Sequence, residues 1–408
     1  MERRRSLIRR IFHEFYSERY ELIEVPSDLP KREFGFIFFK SPDIMVRHKA
    51  FNNSQELLEF LKANVPMHAY YSTAHYKWPE ARSMDEKMWL GADLVFDIDV
   101  DHIPTPCKTA HDSWKCLDCN LKGKGMPPET CPKCGSKRLE RDAWVCDICL
   151  QKAKEEVLKL VEDFLVSDFG FRLNEIKVYF SGHRGFHVHI ESEKVQHLDS
   201  DARREIVDYI KGIGFRPSIS LNGDPDMSET GWRGRMARGV YKFIADANAD
   251  LLTELGFKKR EITFLITNRE IILRGLESSP PYWGCLHKLS KRSLNALFDF
   301  VKRSYAVDID ERVTTDIKRL IRLPGSLHGK TGLPVVPVRI SNIEEFDPFS
   351  IEILNSTSSL KLKILRKIPT LKLGGQEYSF KVNECVKVPF SVGLYMACRG
   401  VAEIVSVM

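Results

Sequence analysis

No run in the 408-residue chain approaches the roughly 20 apolar side chains that a membrane span requires. The basic start, MERRRSLIRR, leads into no apolar segment of the kind that follows a secretory n-region. A soluble, non-exported, cytoplasmic protein is expected. Repeats, heptads and low-complexity tracts are absent as well, which excludes solenoids and coiled coils. Neither sign of charge dominates: 62 Lys and Arg against 56 Asp and Glu leave a net charge of +6, which permits a polyanionic partner without demanding one. Cysteine is scarce outside one short region. Seven of the ten lie between Cys107 and Cys149, mostly as CxxC pairs, and in a non-exported chain that clustering points to metal and not to disulfides. Cys285, Cys385 and Cys398 stand alone and are expected in the core.

What is present is ample core material, 43% hydrophobic residues, in a chain long enough for one large domain or two to three ordinary ones. IRRIFHEFYSERY has apolar positions at helical spacing, while REFGFIFF and DIMVRHKAF read as extended. Residues 107–149 are rich in Cys, Pro, Gly and Lys with few aliphatics, so they form an inserted metal module and not a core. Ala153, Val157, Leu160, Val161, Phe164 and Leu165 then recur at helical spacing, followed by the strand IKVYF, the turn SGHRG and the strand FHVHI. Residues 196–300 are helix-rich and include GWRGRMARG, read as a basic loop. The expected organisation is a first part of an α+β core over 1–106, the insertion over 107–149, a second part of the core over 150–195, a helical subdomain over 196–300, and a third part of the core with C-terminal strands over 301–408.

The stretch DLVFDIDVDH poses the sharpest question. Leu94, Phe96, Ile98 and Val100 alternate with Asp93, Asp97, Asp99 and Asp101, a period-two pattern that buries the first set and aligns the aspartates on the other face. Aspartate is a poor strand former, and like charges on one strand face repel. Asp97 and Asp99, roughly 6–7 Å apart at their α-carbons, are suited to sharing magnesium or manganese ions completed by substrate phosphates. An edge strand with a solvated acidic face would carry the same pattern.

Two cationic turns follow. In SGHRGFH, Gly182 and Gly185 allow a close approach to the backbone, and Ser181, Arg184 and His187 converge on a site suited to an anion such as a triphosphate. A basic hairpin turn with satisfied histidines is the plainer alternative. RLPGSLHGKTG resembles a P-loop but has three residues between Gly325 and the Gly329–Thr331 run where GxxxxGK[ST] needs four, so no Walker A site is assigned. It still gathers Arg322, Ser326, His328 and Lys330, and the DID of residues 308–310 lies just upstream. The cysteines divide into Cys116, Cys119, Cys131 and Cys134, a small zinc ribbon, and Cys107, His111, Cys146 and Cys149, a possible second set. Exchange between the sets stays open at this point, as does a count of one or two zinc ions.

In order, the DxD strand, the CxxC-rich insertion, SGxRGxH, and then IDERV with RLPGSLHGKTG resemble the small catalytic subunit of the archaeal and eukaryotic DNA primase, the archaeal form most closely. The resemblance covers roughly residues 30–195 and 300–345. It implies an α+β primase core with a zinc-binding module and a helical subdomain, and primer synthesis on a single-stranded DNA template from nucleoside triphosphates. It also implies a heterodimer with the primase large subunit, alongside other replication proteins near the nucleoid. Position by position, the family's catalytic carboxylates fall on Asp97, Asp99 and Asp310, with magnesium or manganese as cofactor. Its nucleotide contacts fall on Ser181, Arg184, His187, Arg322 and His328, and Arg47 in MVRHKAF matches a further phosphate contact. The family's zinc knuckle resembles the set Cys107, His111, Cys146 and Cys149, with the Cys116–Cys134 ribbon an addition inside it. Three rivals stand beside this reading: a related polymerase of DNA repair or end joining, a non-catalytic zinc-ribbon nucleic-acid-binding protein, and a metal-dependent phosphodiesterase.

Overall fold

The computed structural model describes residues 2–101, 103–215, 224–354 and 359–408. It divides into one unit of residues 1–157, 174–203 and 309–408 and a second of residues 158–173 and 204–308.

The first unit is built on two four-stranded antiparallel sheets. One runs in the order Leu320–Arg322, Pro66–Ser72, Phe34–Phe38, Ser41–Lys49. Its aromatic residues supply the core: the Phe34 and Phe51 rings meet edge to face at 5.1 Å, and Phe36 lies 4.7 Å from Phe60 of the helix Ser54–Asn64. That helix starts where the Asn53 side chain accepts from the Glu56 N–H, an N-cap that satisfies one of the amides left free by the first turn. The other sheet runs Val336–Pro337, Ile176–Phe180, Gly185–Ile190, Leu94–Asp99. Smaller elements surround them: a three-stranded sheet of Ser359–Ile364, Cys385–Pro389 and Ala402–Val407, and another of Ser113–Cys116, Lys122–Lys124 and Leu139–Asp142 inside the cysteine-rich module. This is the mixed α+β architecture with an inserted cysteine module that the sequence implied.

The acidic strand follows its period. Leu94, Phe96, Ile98 and Val100 are buried. The aspartates, however, do not share one environment. Asp93 is buried against Arg32, with Nη2 2.7 Å from Oδ2, and against Nε2 of His75 at 3.1 Å. Arg32 also donates to the carbonyls of Ser27, Ser72 and Thr73. Asp93 is thus a structural anchor between sheets.

The second unit is helical. Gly231–Asp246, Ala249–Glu254, Lys259–Thr267, Arg269–Glu277 and Lys291–Tyr305 surround a core that includes Met236, Val240, Phe243, Leu297 and Val301. GWRGRMARG is the first half of the helix Gly231–Asp246 and not a loop. Its glycines serve packing: a Cβ on Gly239 would lie 2.2 Å from Cγ1 of Val301. Arg235 is buried on Asp168 at 2.6 Å, so part of the basic character is neutralised inside the unit. The lone cysteines also depart from expectation. Cys385 is exposed and Cys285 and Cys398 are partly buried, so none is a core residue. The sheet that carries Cys385 presents that position outward.

The Asp93 pair yields a stability prediction. Asp93→Ala leaves Arg32 charged, buried and short of its partner, a change that typically costs about 3–5 kcal/mol. A chemical-denaturation midpoint should fall accordingly; a loss under about 1 kcal/mol would contradict the buried pair.

Candidate active site and metal clusters

The register of the acidic strand against the strand Gly185–Ile190 builds the site. Asp99 is paired with Gly185 and Asp97 with His187. The strands can approach this closely only because position 185 lacks a side chain: a Cβ there would stand 1.9 Å from the Ile98 carbonyl oxygen. The third carboxylate arrives from a distant part of the chain. The Asp310 N–H donates to the Asp97 carbonyl at 2.9 Å, while the Asp310 side chain accepts from the Arg312 N–H at 2.9 Å and starts the short helix Glu311–Thr315. The structure therefore brings Asp97, Asp99 and Asp310 together.

Among the described residues, no Lys or Arg lies within ion-pair distance of these three. Burial foremost, and then the Asp99 and Asp310 carboxylates, push the Asp97 acid up to about 8, against a downward pull from Arg319 and Arg322. Nε2 of His187 lies 3.7 Å from Oδ1 of Asp97. Burial, assisted by His189, Arg322 and Arg319, holds His187 well below the usual imidazole range, so it is a neutral donor or acceptor and not a counter-ion. Asp97, Asp99 and Asp310 offer the oxygen ligands that hard divalent cations such as magnesium or manganese take.

The fourth aspartate of the strand is neutralised by protein. Asp101 pairs through Oδ2 with the Arg184 guanidinium and through Oδ1 with Nη1 of Arg141 at 2.8 Å.

The cationic turns form the rest of the site. Thr331 Oγ1 donates to the Gly182 carbonyl, and the His183 and His328 rings stack at 4.7 Å and 14°. Gly182 has φ +74°, and a Cβ there would meet Cβ of His328 and the Leu333 carbonyl at 3.0 Å. His68 was not anticipated. Its Nδ1 lies 2.8 Å from Nη1 of Arg322 and accepts from the Gly329 N–H at 3.3 Å, and its ring meets His328 edge to face at 4.9 Å. Burial, then Arg322 and Lys330, bring His68 down to about 3, so it accepts from Arg322 as a neutral ring. Nothing near MHAYYS signals this role in sequence.

Ser181, Arg184, His187, Arg322 and His328 are therefore gathered beside the carboxylates. His187 Nδ1 and Arg184 Nε are buried with no hydrogen-bond partner among the described residues. Ser326 is occupied locally, donating to the Leu323 carbonyl at 2.6 Å, and Lys330 is exposed. Arg47 stands apart on the strand Ser41–Lys49, held by buried Glu33 at 3.0 and 3.2 Å.

The cysteine module contains two separate clusters: Cys107, His111, Cys146 and Cys149, and Cys116, Cys119, Cys131 and Cys134. Within each, the ligand atoms lie within 4.8 Å of one another. Sulfur separations of 3.4 Å for Cys107–Cys149, 3.6 Å for Cys116–Cys134 and 3.5 Å for Cys119–Cys131 approach the roughly 3.8 Å edge of a tetrahedron of thiolates about 2.3 Å from zinc. His111 points Nε2 at Cys149, 3.4 Å away, while its Nδ1 is held by Asp112 at 2.7 Å. A carboxylate behind a ligating imidazole orients the ring and fixes its tautomer. That Asp112 follows His111 directly is a sequence signal that could have been read.

Two comparisons bear on the chain. The family described as DNA primase small subunit matches residues 135–340. The chain is also 34% identical to the DNA primase small subunit PriS of Methanospirillum hungatei JF-1, over 99% of this chain and 98% of the relative. It is 32% identical to PriS of Methanocella arvoryzae over 98% of each, and 35% identical to PriS of Picrophilus torridus over 79% of this chain and 78% of the relative.

Two predictions follow from the clusters. An acid whose folded pKa lies above its unfolded value stabilises the fold at low pH and loses that contribution as pH rises through the folded value. In buffer lacking divalent cations, stability should therefore fall between about pH 4, the unfolded aspartate value, and about pH 8. Asp97→Asn should flatten that slope in denaturation curves; an unchanged slope would contradict the carboxylate crowding. Separately, the purified chain should carry two zinc ions, and Cys119→Ser should remove one of them, as measured by metal analysis. Loss of both, or of none, would contradict independent clusters.

Proposed function

The chain belongs to the DNA primase small-subunit family, and from that premise we propose that it is the catalytic subunit of a DNA primase. It would make short primers on single-stranded DNA by template-directed nucleotidyl transfer from nucleoside triphosphates, releasing pyrophosphate. The observation that carries this reading is the convergence of Asp97, Asp99 and Asp310 beside a pocket of arginines and neutral imidazoles. Magnesium or manganese, when bound by these carboxylates, supplies the means to lower the pKa of an attacking 3′-hydroxyl and to neutralise the leaving pyrophosphate.

The protein's own groups do the rest. Asp97 must ionise to ligate, so it gives up a proton as the site fills. Arg184 and Arg322 supply the fixed positive charge for a triphosphate, and His187 and His328, held neutral, donate hydrogen bonds to its oxygens without adding charge that would compete with the cations. Gly182 and Gly185 keep the turn clear so that phosphate can approach backbone N–H groups. Ser181 offers a hydroxyl at the same turn. Arg47 is a more remote contributor, since Glu33 already engages its guanidinium in two contacts. The two cysteine clusters are assigned structural zinc, because each has four protein ligands and no open position.

The partners proposed are the primase large subunit, a single-stranded DNA template, nucleoside triphosphates and other replication proteins, at the nucleoid of the cytoplasm. Among the described residues no helix is long and apolar enough to cross a membrane. A non-catalytic zinc-ribbon protein would leave the carboxylate cluster, with its cost in repulsion, without a role.

The test is primer synthesis on single-stranded DNA with magnesium or manganese. Asp97→Ala and Asp99→Ala should each lower synthesis by roughly a hundred- to a thousandfold or more while the folded content, read by circular dichroism, is kept. Pyrophosphate release should require template and triphosphate together. Normal turnover in either variant would overturn the assignment.

A further inference from the structure

An unbroken run of charged contacts links the His111 cluster to the turn Ser181–Gly185. Asp112 Oδ1 holds Nδ1 of His111 at 2.7 Å, and Asp112 Oδ2 accepts from Nη2 of Arg141 at 2.7 Å. Nη1 of Arg141 lies 2.8 Å from Asp101 Oδ1, and Asp101 Oδ2 accepts from Arg184. Each oxygen of Asp101 thus faces a different guanidinium, and each terminal nitrogen of Arg141 faces a different carboxylate. The run is only partly solvated: Asp112 is 1%, Arg184 9%, Arg141 18% and Asp101 25% exposed at their side chains, so salt screens these contacts less than it does fully exposed pairs. The Asp112 carboxylate is fixed further by the Trp144 N–H at 2.9 Å.

Arg184 cannot give its full charge to a triphosphate while Asp101 holds it. A second cation on the same carboxylate weakens that hold. Arg184, Asp101, Arg141 and Asp112 together are neutral, as are Arg184 and Asp101 alone, but with Arg141 present the Asp101 carboxylate is divided between two guanidinium groups. We propose that Arg141 is a positioning residue that, anchored through Asp112 to the His111 cluster, draws the Asp101 carboxylate to itself and frees Arg184 to bind the incoming triphosphate. Occupancy of the His111 cluster by metal and affinity for nucleotide are thereby coupled. This rests on the reading of Arg184 as a triphosphate contact.

The experiment measures ATP binding to the full chain by calorimetry, with manganese and without DNA, for six variants whose zinc content is determined in parallel. Arg184→Gln should weaken binding; if it does not, the reading of Arg184 itself is wrong. Arg141→Gln should weaken binding by roughly five- to twentyfold, the lower range of coupling between sites, with zinc content unchanged. Asp101→Asn should bind at least as well as the parent. The double variant Asp101→Asn with Arg141→Gln should return to within about twofold of Asp101→Asn alone, because no carboxylate remains to compete. A structural role for Arg141 would instead give losses that persist in the double variant, and that result overturns the proposal. So does unchanged binding in Arg141→Gln where Arg184→Gln is weakened. His111→Ala adds a check on the coupling: it should lower ATP affinity in the parent background and not in the Asp101→Asn background, and equal loss in both would sever the cluster from the pocket.

Discussion

The pairing of the strand Leu94–Asp99 with the strand Gly185–Ile190 is the constraint on which the site depends. A one-residue slip in register would send every side chain of a strand to the other face, carrying the aspartates away from the histidines. The register is held from both sides. Buried Leu94, Phe96 and Ile98 fix the core face, and Gly185 leaves room for the Ile98 carbonyl where any Cβ would collide. With that pairing in place, Asp97 faces His187, the turn Ser181–Gly185 lies at the end of the acidic strand, and the backbone of Asp310 docks on Asp97.

The four aspartates then sort by their neighbours. Asp93 belongs to the fold, through Arg32 and His75. Asp101 belongs to the link between the cysteine module and the turn, through Arg141 and Arg184. Asp97 and Asp99 are left to face each other and Asp310. A protein that only needed to neutralise an acidic strand had arginines within reach on either side, yet Arg319 and Arg322 act on Asp97 without pairing with it. Crowded carboxylates of this kind are unfavourable to the fold in isolation and mark functional sites more often than structural ones.

Much of this was legible in the sequence. The period-two run, the glycines of SGHRG and the CxxC spacings each encode a local requirement, and local requirements survive translation into pattern. The division of the eight metal ligands into two clusters came out as the spacing and the resemblance suggested. What the sequence hid was pairing across long separations. Arg32 with Asp93, His68 with Arg322 and Arg141 with Asp101 are joined by tertiary approach, which leaves no periodic trace. For the same reason the sequence singled out Asp97 and Asp99 but gave no partner for Asp93 or Asp101. GWRGRMARG, read as a basic loop, is helical because its glycines allow close packing: tertiary contact with Val301 outweighs the weak helix propensity of glycine.

The most direct measurement is calorimetric titration of the metal-free carboxylate site with manganese, below pH 8, in two buffers of different ionisation enthalpy. If Asp97, Asp99 and Asp310 together hold divalent cations, saturable binding should release about one proton per chain, because the Asp97 acid, pushed up to about 8, must ionise to ligate. Asp97→Asn should abolish that proton release, and Asp310→Asn should weaken the binding. Manganese uptake that releases no proton, or that is unchanged in both variants, would contradict the account.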